Sequence, residues 1–320
     1  MAWFRLASLC LVLMLASERA SAQNYPSRPI TLIVPFAAGG SSDVNARLLA
    51  EQMSQRLGQP IVIENIGGAG GAVALARVAT AAPDGYTIVQ GNSGTNTAVY
   101  LFTPDVKFAP SDFAPIGMFN KSSAVVAIRK NFPAQDLAQF IAHAKQNPGT
   151  LNIGHSGVGS QNYLFCKAFT QAAGIDVTLV GYRGGGPALN DLIGGQIDGI
   201  CDSSASVTPS IQSGLIRAIA LASKTRLPHL PDVPTAAEAG LSQFSISGWY
   251  ALFAPKGTPP EIIARLNAAM RASVASPDYQ RRLDDLGSMP ADDAEMAPAY
   301  LAAFVPQEIE RFRKLLGDGK

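Results

Sequence analysis

Short β-branched, apolar runs alternate along this chain with stretches whose apolar residues recur at helical spacing. ITLIVPF (residues 30–36) is followed by DVNARLLAEQMSQRLG. There Val44, Leu48, Leu49, Met53 and Leu57 keep helical spacing, and Gly58 ends the run. The segments at 60–65, 86–91, 151–156, 177–184 and 198–203 read as further strands. Those at 72–85, 132–147, 157–174 and 185–196 read as helices. FAPIGMF and SAVVAIRK supply two more apolar stretches around residue 120. Parallel strands need crossover helices, so the alternation predicts βαβ units in a doubly wound α/β fold. Such folds bind ligands beyond the carboxyl ends of their strands, at the loops leading into helices. Past residue 225 the pattern changes to a proline-punctuated segment, an extended run at 245–260 and amphipathic helix to the end.

Composition and charge narrow the classes of partner. Hydrophobic residues make up 47% and charged residues 15%, which excludes a disordered chain. Residues 1–22 read as a secretory signal peptide, with Arg5, an apolar stretch over 6–16 and Ala20-Ser21-Ala22 before the cleavage point. The expected location is therefore the periplasm. Beyond residue 22 there are 23 basic and 23 acidic residues, so net charge offers no pull toward nucleic acid. Cys166 and Cys201 remain in that part and are expected as buried free thiols.

Chemical motifs fail one at a time. A dinucleotide fingerprint needs G-x-G-x-x-G, but IGGAGGAV has Val73 where the last glycine belongs. A nucleophile elbow needs G-x-S-x-G, and GNSGT (91–95) and GHSGV (154–158) both lack the final glycine. His155 and Ser156 are strand neighbours and point to opposite faces. The three histidines, at 143, 155 and 229, form no metal-ligand spacing. No catalytic group, metal or cofactor is expected.

What remains is five loops at strand ends rich in small polar residues: 37–43, 92–95, 155–162, 182–187 and 201–204. Three of them precede helices, whose first N–H groups lack intrahelical partners and favour an anion. Ordinary N-capping by Ser42, Asp43 or Ser160 accounts for any one loop without a ligand. Five such loops around one crevice fit a binding cleft better.

The ordered motifs PFAAGGSSDVNAR, IVIENIGGAGG, APDGYTI, GYRGGGPALNDLIGGQIDGICDS, LPDVPTAAEAG and GWYALFAPKGTPPEII resemble the tripartite tricarboxylate transporter substrate-binding family, the Bug receptors. The likeness covers essentially the whole chain after the leader. It implies a type II periplasmic binding protein-like fold, with two α/β domains joined by crossing strands and the ligand in the interdomain cleft. Domain 1 would comprise residues 23–123 and 248–320, and domain 2 residues 124–247. The first domain would contribute Phe36, Ala38, Ser41, Ser42, Asp43, Asn92 and Thr95 to the ligand. The second would contribute Ser156, Gly159, Ser160, Gln161, Asn162, Tyr182, Arg183, Gly184, Gly185 and Asp202. The resemblance implies a receptor that captures a small organic acid, amino acid or related carboxylated metabolite for a membrane permease, and a monomer is expected. A sensor signalling to a membrane kinase and, more distantly, a secreted hydrolase are the rival readings. Tyr163 and Lys167 stand where relatives usually carry His and Glu, Arg183 replaces a usual Lys, and Ala37 and Ala38 replace prolines. These departures leave a dicarboxylate preference open.

Overall fold

The computed structural model describes residues 25–317 except position 104, so the leader at 1–22 lies outside the described residues. The chain opens with β1 (Ile30–Val34), α1 (Ser41–Leu57), β2 (Ile61–Asn65), α2 (Ala72–Ala79) and β3 (Thr87–Asn92). β1 runs parallel to both β2 and β3. Its residues are buried except for a half-exposed Thr31, which is why the strand reads as a continuous apolar run rather than an alternating one. A π-helical turn at Gly94–Ala98 then leads into the short α3 (Val99–Phe102).

The next strand changes the expected topology. FAPIGMF and SAVVAIRK are not two elements but the two halves of one 17-residue strand, β4 (Phe113–Arg129). The polar residues between them do not break it, because the crossing uses them. Asn120 and Ser122 are buried, and Asn120 donates its amide to Asn45 Oδ1 on α1. From Phe113 to Ser123 the strand pairs antiparallel with β9 (Ser247–Pro255). From Ala124 onward its partners are β7 (Gly199–Ser203) and β8 (Ile216–Leu221). One strand thus carries hydrogen bonds of both halves of the molecule.

The second half repeats the winding with α4 (Leu137–Gln146), β5 (Asn152–His155), α5 (Gln161–Ala173), β6 (Thr178–Gly181), α6 (Gly185–Ile193), β7 and α7 (Ser204–Gln212). β5 is parallel to both β6 and β7, as β1 is to its neighbours. α5 starts four residues later than periodicity predicts, because residues 157–160 form a turn in which Gly157 and Gly159 adopt positive φ. After β9 come α8 (Pro260–Val274), α9 (Pro277–Asp285), β10 (Ser288–Pro290) and α10 (Pro298–Leu316). Among the described residues no helix is long and apolar enough to cross a membrane.

One apolar core lies among β1, β3, β9, α1 and α8, with Leu32, Leu49, Met53, Val89, Leu252 and Met270 fully buried. The second half has a core on each face of its sheet, one built on Phe140, Phe165 and Phe169 and the other on Leu192, Ile200 and Val207. Cys166 and Cys201 are buried in the phenylalanine core as free thiols. α10 joins the two halves. Its Leu301 and Val305 pack into the first core, and its Phe312 and Leu316 pack into the second. Phe312→Ala removes a fully buried ring at that junction and should cost about 3–5 kcal/mol, read from a shift in the denaturant midpoint. A shift under about 1 kcal/mol would mean that the helix end contributes little to joining the halves.

Candidate functional site

Between the two halves, Phe36, Gly40, Ser41, Ser42, Asn92, Ser156, Asn162 and Gly185 surround a small enclosed cavity. Its volume is about 10 Å³, room for about one water. The lining comes from the exits of β1, β3 and β5 and from the starts of α1, α5 and α6. This is the carboxyl edge where a doubly wound sheet places ligands. No charged side chain is among the lining residues.

Two of the helix starts on the cavity have no side-chain cap. The N-cap of α1 is Gly40 in an extended conformation, and that of α6 is Gly184. Their first N–H groups therefore have no hydroxyl or carboxylate of their own to bond, and the helix dipole leaves that end positive. α5 differs, since Ser160 Oγ accepts from Tyr163 N–H at 3.1 Å. The expected capping of α1 by Ser42 or Asp43 is not found, because both lie inside its first turn.

The halves meet here through backbone. Ala37 N–H donates to the Arg183 carbonyl at 3.0 Å. A Cβ on Gly186 would overlap the Ala38 carbonyl, and one on Gly70 would overlap the Val158 carbonyl. Side chains tie the back of the cleft: Ser93 Oγ donates to Gln161 Oε1 at 2.8 Å, and Gln161 Nε2 donates to Tyr250 OH at 2.9 Å.

Not every residue expected at the ligand reaches the cavity. Phe36, Ser41, Ser42, Asn92, Ser156, Asn162 and Gly185 line it. Thr95 does not, because its hydroxyl accepts from Asn92 N–H at 3.0 Å and donates to Asn96 Oδ1 at 2.9 Å. It holds Asn92, which in turn donates to Ser42 Oγ at 3.2 Å. Ser160 is a helix cap, and Gly159 packs beside Thr103 and Val99. Asp43 faces away, accepting from Gly39 N–H, Arg47 and Asn65, each at 3.0 Å. Burial raises its pKa, but these donors outweigh burial and hold it below the ordinary carboxylate value. Tyr182 turns out of the cleft to donate to Asp191 at 2.8 Å. Arg183 and Ala38 are exposed and present their carbonyls to the other half, while Gly184 packs on Ala37. Gln161 acts as the tether described above.

Asp202 stands directly behind the lining. It is 1% exposed and accepts from Ser203 N–H at 2.6 Å, with the polar side chains of Ser206, Asn162 and Ser41 around it. Burial outweighs these polar neighbours and pushes its pKa up to about 6. His155 is also buried, and burial pushes its pKa down to about 4 against a hydrogen bond from Gly157 N–H to Nδ1. Sequence reasoning covered Gly40 and Ser93 only as parts of the loops 37–43 and 92–95, and did not place Tyr250 or Gly70 at the site. The last belongs to the glycine cluster rejected as a nucleotide motif, whose spacing serves close backbone approach.

Two wound α/β halves with a polar, neutral cleft between them define a two-domain binding protein. The profile described as "Tripartite tricarboxylate transporter family receptor" (TctC) matches residues 45–318, and the chain belongs to that family. Protein BugT of Bordetella pertussis is 36% identical over 294 residues, covering 91% of this chain and 89% of BugT. MatC from Rhodopseudomonas palustris, solved with bound malate, is 40% identical with a TM-score of 0.88, covering 91% of this chain and all of MatC. Rpa4515 of R. palustris, solved with adipate, is 32% identical with a TM-score of 0.87, covering 92% and 98% of the two chains. The fold is accordingly the type II periplasmic binding protein-like arrangement of two α/β domains.

The opposite shifts of Asp202 and His155 give a pH test. Asp202 keeps its proton to about 6 when folded, against 3.8 ordinarily, so its contribution to stability falls as pH rises between those values. His155 titrates near 4 when folded, against 6.5 ordinarily, so its contribution rises over nearly the same range. Asp202→Asn should remove the fall and leave a steeper gain in Tm from about pH 4 to 6 than the wild type shows. Superimposable Tm–pH curves would place the Asp202 titration at its ordinary value.

Proposed function

We propose that this protein is a periplasmic receptor whose two domains close on a small carboxylated metabolite and present it to a membrane permease. The observation that carries the reading is the set of uncapped helix starts converging on a cleft without cationic side chains. A carboxylate held there gains hydrogen bonds and helix-dipole stabilisation, and no buried Arg or Lys needs desolvating. The N–H groups at the start of α1 and α6, with the hydroxyls of Ser42 and Ser156, are the donors assigned to it. Malate in MatC and adipate in Rpa4515 point to the same ligand class. Family membership supports the periplasm and a transporter as the receiving partner.

Entry requires opening. With Ala37 bonded to Arg183 and a cavity of about 10 Å³, a metabolite reaches the site only after the domains part. Hinge motion about the strands shared at the crossing provides this without unfolding either core.

Mass spectrometry of ligand released from natively purified protein, followed by calorimetry with the compound found, tests the reading. A carboxylate is expected, and Ser42→Ala should weaken its binding about tenfold. Retention of a non-acidic solute, or no heat with any organic acid in a broad panel, would overturn the proposal. Gly186→Ala tests closure separately. It favours helix α6 by intrinsic propensity, so the ligand-free Tm should hold or rise. It also collides with Ala38 across the cleft, so affinity should drop at least about tenfold. Unchanged affinity would mean that the ligand is bound without this close approach.

A further inference from the structure

We infer that α10 and the β4–β9 pair enclose a second binding site, for a neutral, mostly apolar molecule that carries a carbonyl or similar hydrogen-bond acceptor. The site is separate from the interdomain cleft, and the inference does not depend on the receptor reading above.

The site is a pocket of about 340 Å³. That lies within the roughly 300–1,000 Å³ of small-molecule sites, which are mostly apolar with a few placed polar groups. Phe113 on β4, Phe253 on β9 and Leu301 and Val305 on α10 give it an apolar wall with two aromatic rings. None of the lining residues is charged. The α10 residues that line it lie past the start of that helix, and Leu301 N–H already donates to the Ala297 carbonyl at 3.2 Å. The pocket therefore lacks the free helix-start donors that suit the cleft to an anion, and burying a carboxylate here would be costly.

Asn96 supplies the polar contact. It lines the pocket, is only 2% exposed, and accepts at Oδ1 from Thr95 Oγ1 at 2.9 Å. Thr95 Oγ1 is fixed in turn by Asn92 N–H at 3.0 Å. With its oxygen held, Asn96 has its NH₂ group left for the pocket, and that group donates to nothing among the described residues. Gly91 on β3 makes the seat, since a Cβ there would overlap both Asn96 Oδ1 and the Phe253 ring. A buried amide donor without an acceptor is unfavourable, and a ligand carbonyl removes that cost.

Three interruptions of regular structure border the same pocket. Asn96 lies in the π-helical turn, Pro115 stands at a register shift of β4 against β9, and Pro306 stands inside α10. Pro306 has no N–H for the carbonyl of Ala302, which also lines the pocket. π-Turns and bulges are over-represented beside functional sites. Here they meet around one apolar space that holds one unpaired donor.

NMR of the whole, isotope-labelled protein tests the site. Acetophenone is the probe, ethylbenzene its counterpart without an acceptor, and benzoate its charged counterpart. Acetophenone should give saturable shifts at the Asn96 side-chain NH₂ and at the backbone amides of Phe253 and Val305. Ethylbenzene should bind at least about fivefold more weakly, and benzoate should leave these signals in place. Asn96→Asp keeps an oxygen for Thr95 and loses the amide donor, so acetophenone should bind it no better than ethylbenzene does. Ala302→Trp, at an exposed position of α10, fills the pocket without touching a core. It should abolish the shifts at Asn96 and Phe253 with both probes, and it keeps the test open if Asn96→Asp does not fold. Shifts that never saturate mark adventitious contact and overturn the site, as do shifts that persist in Ala302→Trp or no shift with either neutral probe. Equal affinity of the wild type for acetophenone and ethylbenzene would overturn the role of Asn96 and the ligand class with it.

Discussion

Strand β4 is the constraint on which the rest of the molecule depends. Its first eleven residues complete the sheet of one domain, and its last six complete the sheet of the other. Strand pairing continues on both sides of the crossing, with β9 up to Ser123 and with β7 from Ala124, so neither domain can shift sideways without breaking a ladder. α10 adds a second connection by seating Leu301 and Val305 in one core and Phe312 and Leu316 in the other.

Closure brings backbone against backbone, and this explains the glycine usage. A cleft that shuts on a ligand of a few carbon atoms needs its walls within hydrogen-bonding distance of each other. Gly70 and Gly186 permit that distance, because any side chain there would overlap a carbonyl of the other domain. The polar side chains nearest the cavity are short for the same reason. Of the larger ones, Tyr182 is turned toward Asp191, and Arg183 bonds the other half through its carbonyl.

A buried negative group, Asp202, stands directly behind the lining residues Gly185 and Asn162. Helix starts supply the positive potential, and Asp202 occupies part of it from behind the wall. Its burial costs solvation, which the Ser203 N–H bond and the polar side chains around it offset in part.

How much of this was legible in the sequence depends on whether the determining interaction was local. The alternation of apolar runs and amphipathic helices made the α/β class readable, because strand and helix periodicity reflect burial of nearby residues. Ser160 was readable as a cap, since its partner lies three residues away. Ser41, Ser42 and Asn162 were placed at the site by position alone, at strand ends before helices. Thr95, Asp43 and Tyr182 carried the right chemistry on the right loops, yet their partners turn them aside. Asn96 and Asp191 lie close along the chain, and Asn65 lies 22 residues from Asp43. Which of two available partners a polar group takes is a difference of a few hydrogen bonds. The joining of 113–119 and 123–129 into one strand was likewise hidden, because a polar interlude signals a turn unless distant strands cover it. The sequence by itself determined the α/β alternation, the polar loops at strand ends and the family. Only the tertiary structure decided which side chains of those loops line the cavity, because pairing across domains depends on contacts between residues far apart in the chain.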